Sequence, residues 1–443
     1  MEASCVGVFM VEDECNWLRY GNYHGTDPLI RDKHRPLDHG DDCRKISHTM
    51  IKLRYHTKLI VLSAVVVGLI YVIQPSRSST HPSKIKYKKN ANCIPSHNQT
   101  NFSDTINTNI TTLKTILFWT PYFHSETWDF ETLGRAPFEH QLCRHRCMAT
   151  TDRTKVTSVE AVLFHFADVD VDNWPAKLPE DVIKVLVVHE PPPVTGKRMF
   201  GFDGRVHYVM SYRRDSDFYA PYRVIRPMTA QDPPRYVPRV PLSARNKSVV
   251  WVVSRCKAAS HREKYVEELA KHIDIDVYGQ CGSHSCPKEQ WHLCFERFAS
   301  NYKFYLSFEN SLCRDYISEK FFEPLRHDII PVVLGERDSV LSEHLTPEAY
   351  INARNFESPK TLAAYLRRVA SDEKLFNKYF EWKPKYEILS THGPLTSGLC
   401  QLCDWLNARD NHVMFNYRSD VSKWWYDGVC DNDFVLRQLK KIR

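Results

Sequence analysis

Residues 301–335 read NYKFYLSFENSLCRDYISEKFFEPLRHDIIPVVLG and hold the densest set of side chains able to do chemistry. A buried strand is expected to end at Phe308, a polar loop then carries Glu309, Asn310 and Tyr316, and a helix starts at Ser318. Ser318 suits the N-cap, and Phe321, Phe322 and Leu325 give the helix its buried face. Lys320 falls in the first turn, where unpaired backbone N–H groups and the helix dipole already favour an anion. Helix start plus lysine is a ready diphosphate site, and Glu319 beside it can accept hydrogen bonds from ribose hydroxyls. Strand–loop–helix units with one lysine are common, so this motif alone does not separate an anion site from ordinary packing. Elsewhere, Asp168, Asp170 and Asp172 in DVDVDNW have the Asp-x-Asp spacing of a metal site but read equally as loop carboxylates. Cys143/Cys147 and Cys400/Cys403 fit either a zinc site or disulfides by spacing. The histidines, His165, His189 and His207 among them, show no HExxH spacing, and no Ser-His-Asp, P-loop or GxGxxG constellation is present.

Short β-rich runs position this chemistry. One set comprises 115–119, 161–166, 182–190 and 206–213; after a proline-rich segment at 227–241, a second comprises 249–254, 275–279, 303–308 and 329–335. A helical pattern at 261–273, with apolar residues three to four apart, lies within the second set. Continuous apolar strands alternating with helices indicate parallel α/β layers. Two such sets predict two α/β domains facing a cleft.

The 443 residues carry a formal charge of +7 and no lysine/arginine block interleaved with aromatics, which disfavours a nucleic-acid partner. Leu59 to Ile73 reads LIVLSAVVVGLIYVI, and the uncharged stretch runs on to Ser76. Those residues span roughly 27 Å as a helix, enough for one crossing of a thin early-secretory bilayer. Basic residues flank both sides, so charge leaves the orientation open. The sequons at Asn98, Asn101, Asn109 and Asn246 all follow the span and place the bulk of the chain in the lumen. Of 14 cysteines, 11 follow the span, as expected of disulfides in an oxidising compartment, with one left over. Residues 1–58 read as a solvated tail, and 77–112, rich in Ser, Thr, Asn and Lys, as a stem unable to bury a core.

The string FENSLCRDYISEKF (308–321), together with SYRRDSD (211–217), WVVSRC (251–256), YGQCG (278–282) and CQLC (400–403), resembles the α-1,3/4-fucosyltransferase family from about residue 115 to the end. The resemblance implies a GT-B fold of two Rossmann-like halves, GDP-β-L-fucose as donor and an inverting reaction. Donor-binding roles fall on Asn310, Tyr316, Glu319 and Lys320, with Tyr305 and Ser254 lining the nucleotide pocket and Arg262 as the phosphate-binding arginine. The general base falls on Glu190, at the end of VLVVHE; the following HEPPP departs from the vertebrate NLESP. Two bridges are implied between Cys143 and Cys147 and the terminal Cys400 and Cys403. The architecture holds a diphosphate with cations and a helix start, so no cofactor is required and no metal site is assigned, a stimulating divalent ion being left open.

The implied layout is a cytoplasmic tail at 1–58, a signal anchor at 59–76, a stem at 77–112, an acceptor-side α/β domain at 113–240, a GDP-fucose-binding α/β domain at 241–403 and a C-terminal segment at 404–443. Such a chain sits in the Golgi membrane with one pass and a lumenal catalytic part. The stretch 278–294 and the tail WWYDGVC (424–430) are similar to invertebrate core-type enzymes, so the expected acceptor is the innermost GlcNAc of N-glycans on glycoproteins. Lewis-type transfer to an outer GlcNAc is the alternative. A catalytically silent lumenal glycan-binding protein is the rival class, disfavoured because a relic would shed charged groups that are costly to bury.

Overall fold

The computed structural model describes residues 113–442 apart from 176, 234–239, 336–346, 390–394 and 409–415. The expected tail, span and stem, the sequons Asn98, Asn101 and Asn109, and Cys93 lie outside the described residues. Among the described residues no helix is long and apolar enough to cross a membrane.

The first half is built on β1 (Thr115–Phe118), β2 (Met148–Thr150), β3 (Ala161–His165), β4 (Ile183–Val188), β5 (Tyr208–Ser211) and β6 (Phe218–Tyr219), with a single helical turn, α1 (Pro192–Thr195), after β4. All pairs are parallel and the order is β2-β1-β3-β4-β5-β6. Side chains alternate between two cores. Ile116, Leu163 and Val185 face one layer, while Leu117, Val162 and Leu186 face the other. Burial on both faces is why β3 and β4 are apolar apart from His165 and Lys184.

The second half repeats the plan with β8 (Lys247–Val252), β9 (Ile275–Tyr278), β10 (Tyr302–Phe308), β11 (Ile330–Leu334) and β12 (Ile351–Asn352) in the order β12-β11-β10-β8-β9, again all parallel. Helices α2 (Arg262–Ala270), α3 (Trp291–Asn301), α4 (Glu319–Arg326), α5 (Pro359–Ser371) and α6 (Glu373–Lys378) accompany these strands. Ser358 opens α5 with a full capping box, its side chain on the Thr361 N–H and Thr361 returning the bond. A two-stranded antiparallel ribbon, β7 (Ile225–Pro227) with β13 (Tyr386–Ile388), ties the exit of the first half to the late part of the second.

The C-terminal helices change sides. Helix α7 (Thr396–Ala408) packs Leu399, Leu402 and Leu406 on the first sheet, although its first residues fall in the 241–403 segment expected to belong to the second half. Gly398 permits that approach, since a Cβ there would meet Met210 Sδ at 2.8 Å and Ala220 Cβ at 2.9 Å. Helix α8 (Val421–Tyr426) covers the opposite face of the same sheet with Val421 and Trp425, whereas α9 (Phe434–Lys441) returns to the second half through Val435.

Disulfides fasten these crossings. Cys143 pairs with Cys400 and Cys147 with Cys403, which holds α7 on the first half; Cys256–Cys281 and Cys286–Cys294 close loops in the second half. Cys313–Cys430 joins the loop ahead of α4 to the segment after α8, across 117 residues. A link across so long a loop restricts the unfolded chain, which is typically worth about 2–4 kcal/mol. Replacing Cys313 and Cys430 by Ser should therefore lower the unfolding free energy by an amount in that range, read as a lower denaturant midpoint by intrinsic fluorescence without reductant. An unchanged midpoint would show that the surrounding contacts alone hold the α4 loop to the segment after α8.

Candidate active site between the two halves

The donor-side cluster grows out of the α4 start. Ser318 occupies the N-cap with its hydroxyl accepting from the Lys320 N–H, as the sequence predicts. Behind it the buried Glu309 carboxylate accepts from the Ser318 N–H at 2.8 Å and from the Ser318 hydroxyl at 2.8 Å. Lys320 Nζ donates to Glu319 Oε1 at 2.8 Å and to Ser318 Oγ at 3.1 Å, and lies 3.7 Å from Glu309. Burial pushes the Glu309 carboxyl above the usual carboxylate range in spite of Lys320. Burial also works against ionisation of Glu319, but the Lys320 ammonium outweighs it and holds that carboxyl low. For Lys320, burial opposes the charge while the Glu319 and Glu309 carboxylates raise its pKa, so the ammonium stays protonated.

The remaining donor-side candidates are distributed around this cluster. Arg262, first residue of α2, is only 3% exposed; it donates to the Phe308 carbonyl at 2.5 Å and the Arg255 carbonyl at 3.4 Å, and its Nε has no partner among the described residues. It thus braces the ends of β8 and β10 from below. Asn310 lies beside it, with its backbone carbonyl accepting from the Ser260 N–H and its Oδ1 buried without a partner among the described residues. Ser254 is exposed just past β8, and Tyr305 is buried mid-strand against Phe295 with its hydroxyl in the field of Glu319. These residues gather where β8 and β10 adjoin. There the strand order reverses, because β9 follows β8 on one side and β10 lies on the other. In parallel sheets the ligand crevice opens outside the carboxyl ends of such a strand pair.

Glu190 follows β4 at the carboxyl end of the first sheet and is half-buried. Burial pushes its carboxyl above the usual range, against the pull of Lys320 and Arg255, and with Glu319 and Glu309 pushing the same way as burial. The structure therefore brings the base candidate of one half into the field of the α4 cluster of the other. Its backbone is fixed by tyrosines and a histidine that belong to no motif in the sequence. The Tyr222 hydroxyl donates to the His189 carbonyl at 2.7 Å, and the buried His189 ring bridges the Tyr122 hydroxyl at 2.9 Å and the Ala220 carbonyl at 2.8 Å. Burial lowers the His189 pKa to about 3, so the ring is neutral, with Nε2–H donating to Ala220. The departure HEPPP is thereby explained: His189 is a packed strut, and Pro191 precedes α1, whose Thr195 accepts from Trp425 Nε1 at 3.0 Å.

The block SYRRDSD spans the seam between halves. Buried Arg213 forks onto Asp215 at 2.9 and 2.8 Å and lies 3.9 Å from the centre of the Trp424 ring. Asp215 also accepts from Arg314 at 2.6 Å, and Arg214 donates to Asp315 at 3.0 Å. Tyr316 of the second half sits edge-on to Tyr212 and Tyr222 of the first, at 5.0 and 6.0 Å. The exposed Arg255, placed by the β8 exit and the Cys256–Cys281 bridge, is a further cation near Glu190 that the sequence reading did not single out. Gly279 shapes that bridge's loop at φ +90°, where a Cβ would approach the Val253 carbonyl oxygen to 2.6 Å. Asn246 is exposed ahead of β8.

The Asp-x-Asp segment has a structural occupation. Asp168 accepts from the backbone N–H groups of Phe123 at 2.8 Å and His124 at 3.1 Å, and from His165 Nδ1 at 2.5 Å. Asp170 accepts from the Asp172 N–H. Among the described residues no three His, Cys, Asp or Glu side chains are grouped to hold a metal ion. The loop that Asp168 clamps holds four non-glycine residues at positive φ, namely Phe123 (47°), His124 (70°), Trp128 (56°) and Asp129 (61°). Each such residue costs about 1–2 kcal/mol.

Two parallel α/β sheets, a carboxylate at a strand end of one and a lysine-bearing helix start on the other, fit the GT-B-like class of glycosyltransferases. Family models agree: "Fucosyltransferase, N-terminal" matches residues 111–223 and "Glycosyltransferase family 10 (fucosyltransferase) C-term" matches 242–424. The chain belongs to glycosyltransferase family 10, the fucosyltransferases. It is 32% identical over 343 residues to alpha-(1,3)-fucosyltransferase C of Drosophila melanogaster, covering 72% of this chain and 79% of that protein. It is 36% identical over 227 residues to glycoprotein 3-alpha-L-fucosyltransferase A of the same fly, covering 51% and 44%. To 4-galactosyl-N-acetylglucosaminide 3-alpha-L-fucosyltransferase 9 of Rattus norvegicus it is 31% identical, covering 71% and 82%. A solved alpha1,3-fucosyltransferase with GDP aligns at a TM-score of 0.43 and 13% identity, over 68% of this chain and 92% of that one.

Proposed function

We propose that this fucosyltransferase carries L-fucose from GDP-fucose to the 3-hydroxyl of a GlcNAc with inversion, and that its acceptor is the innermost GlcNAc of N-glycans. The observation that carries this reading is the placement of Glu190, raised in pKa by burial, in the field of Lys320, Glu319 and Glu309 at the α4 start. The bond from fucose C1 to the diphosphate oxygen breaks as the acceptor oxygen attacks from the opposite face. Positive charge grows on the sugar ring while negative charge grows on the departing GDP. Lys320, Arg262 and the first N–H groups of α4 stabilise the diphosphate, with the exposed Arg255 as a further cation beside them. Glu190 takes the hydroxyl proton, and one displacement needs no covalent nucleophile. Ser254, Tyr305, Asn310 and Tyr316 line the nucleotide crevice, and Glu319 faces the ribose. No cofactor takes part in these steps.

Support for the core acceptor comes from the likeness to the fly glycoprotein 3-alpha-L-fucosyltransferase A; the likeness to the rat 4-galactosyl-N-acetylglucosaminide enzyme favours the outer, Lewis-type alternative. We further assign the protein to the Golgi membrane, held by residues 59–76 with the catalytic part lumenal and glycosylated at Asn98, Asn101, Asn109 and Asn246. Residues 113–443, secreted behind a signal peptide, should therefore be soluble and active. Given GDP-fucose, that fragment should fucosylate N-glycopeptides with and without peripheral lactosamine alike. Transfer only to lactosamine-bearing glycopeptides would select the Lewis-type reading. A folded fragment that transfers to neither would remove the enzymatic assignment in favour of glycan binding alone.

A further inference from the structure

The first sheet has its own reversal of strand order. β2 lies on one side of β1 and β3 on the other, so a crevice is expected outside the carboxyl ends of β1 and β3. Those ends carry the strained loop after Trp119 and the Asp168 loop. The two meet where Asp168 accepts from the Phe123 and His124 N–H groups. Asp168 is oriented in turn by His165 at 2.5 Å. Tyr122 and Trp128, on either side of the tip, are buried, yet Phe123 between them is 45% exposed. Its ring is steadied edge-on against Tyr122 at 4.9 Å and His165 at 4.6 Å. Tyr122 reaches His189, the residue before Glu190, and lies in the field of both Glu190 and Glu319. A bulky aromatic held at positive φ, propped from beneath, left open to solvent and separated from the strand end that carries Glu190 by β3 alone, is strain retained at the carboxyl end of this sheet.

We propose that Phe123 is a specificity-determining platform on which a pyranose ring of the acceptor glycan stacks, and that Asp168 is the positioning residue that holds this platform. The inference rests on Glu190 being the acceptor-side base. It gives the Asp-x-Asp segment a role without metal: its first carboxylate spends its oxygens on the backbone of the tip. An aromatic face matches the C–H face of a sugar ring and excludes water from it, while polar groups nearby read the hydroxyls. A donor nucleotide gathered at β8 and β10 does not require this ring.

The test uses the full-length protein in detergent, loaded with GDP, and titrates an N-glycopeptide acceptor by calorimetry beside steady-state kinetics. Phe123→Ala should weaken acceptor binding and raise acceptor KM by about tenfold, with GDP affinity unchanged. Phe123→Trp, which keeps a ring, should restore acceptor binding to within about threefold of wild type. Asp168→Ala, which frees the tip, should move acceptor KM in the same direction as Phe123→Ala. Acceptor affinity within twofold of wild type in Phe123→Ala would overturn the proposal, as would equal loss of GDP and acceptor affinity. Since binding is read without turnover, failure of the base assignment shows separately, as retained transfer by Glu190→Gln.

Discussion

Glu190→Gln should abolish fucose transfer while GDP and GDP-fucose bind with near-normal affinity. The amide keeps the size of the side chain and can still accept a hydrogen bond, but it cannot take a proton. Its backbone anchors, Tyr222 on the His189 carbonyl and His189 between Tyr122 and Ala220, do not involve the substituted group. Loss of a general base costs about a hundredfold or more in kcat. The donor groups lie on the other sheet, so binding and turnover should separate. The pH profile gives an independent readout. Burial raises the Glu190 carboxyl above its usual value near 4.3, and the base works only when ionised. Activity should therefore fall as pH drops through that raised value, on an acid limb lying above the ordinary carboxylate range. Arg255→Ala, which removes a cation that pulls the carboxyl down, should shift this limb further upward. Transfer by Glu190→Gln above about a tenth of wild type would take the base elsewhere. Asp168 would be a poor substitute, because three donors already occupy its oxygens.

What could be read from the chain ahead of its fold follows from the range over which each feature is determined. β3, β4, β10 and β11 are buried along almost their whole length, so each prints itself as an apolar run. β2, β6 and β12 have two or three residues, too few for any period, and exist because a neighbouring strand offers an edge. The α4 start was legible because a cap, a first-turn lysine and a buried face lie within a few residues. Arg262 was legible as a helix-start arginine, but its burial beneath Phe308 depends on β10, 46 residues away, which no local pattern encodes. Likewise Tyr122 and His189 are 67 residues apart, and Arg213 meets Trp424 only because α8 returns to the first sheet. The carboxylates at Asp168 and Glu190 look alike as letters. Their surroundings separate them, one saturated by N–H donors and the other half-buried and facing cations.

Lys320→Ala should lose about a hundredfold in kcat, the usual cost of removing one preorganised charge from a transition state. The environment of the lysine adds a second effect. Its side chain is 23% exposed, and its ammonium bonds Glu319 and Ser318 and lies 3.7 Å from Glu309, which is almost fully buried. With the ammonium gone, Glu309 keeps the Ser318 N–H and hydroxyl and the field of the buried Arg262, but loses the lysine that stands between it and Glu319. The Glu309 carboxyl, already raised by burial, must rise further. A carboxyl whose pKa is higher folded than unfolded favours the folded state while protonated. That advantage is present below the unfolded value and is lost as pH rises through the folded one. The variant should consequently be less stable than wild type at neutral pH, by about 1–3 kcal/mol for an uncompensated buried group, and should recover toward wild type in acid. Lys320→Ala, Glu309→Gln in combination should regain the stability without regaining the rate, because the neutral amide needs no counter-charge while the diphosphate still lacks its cation. Thermal midpoints across pH for the single and double variants, alongside GDP-fucose turnover, test both halves. A double variant that recovered turnover with stability would show that Lys320 serves the fold and that the diphosphate is held by other groups.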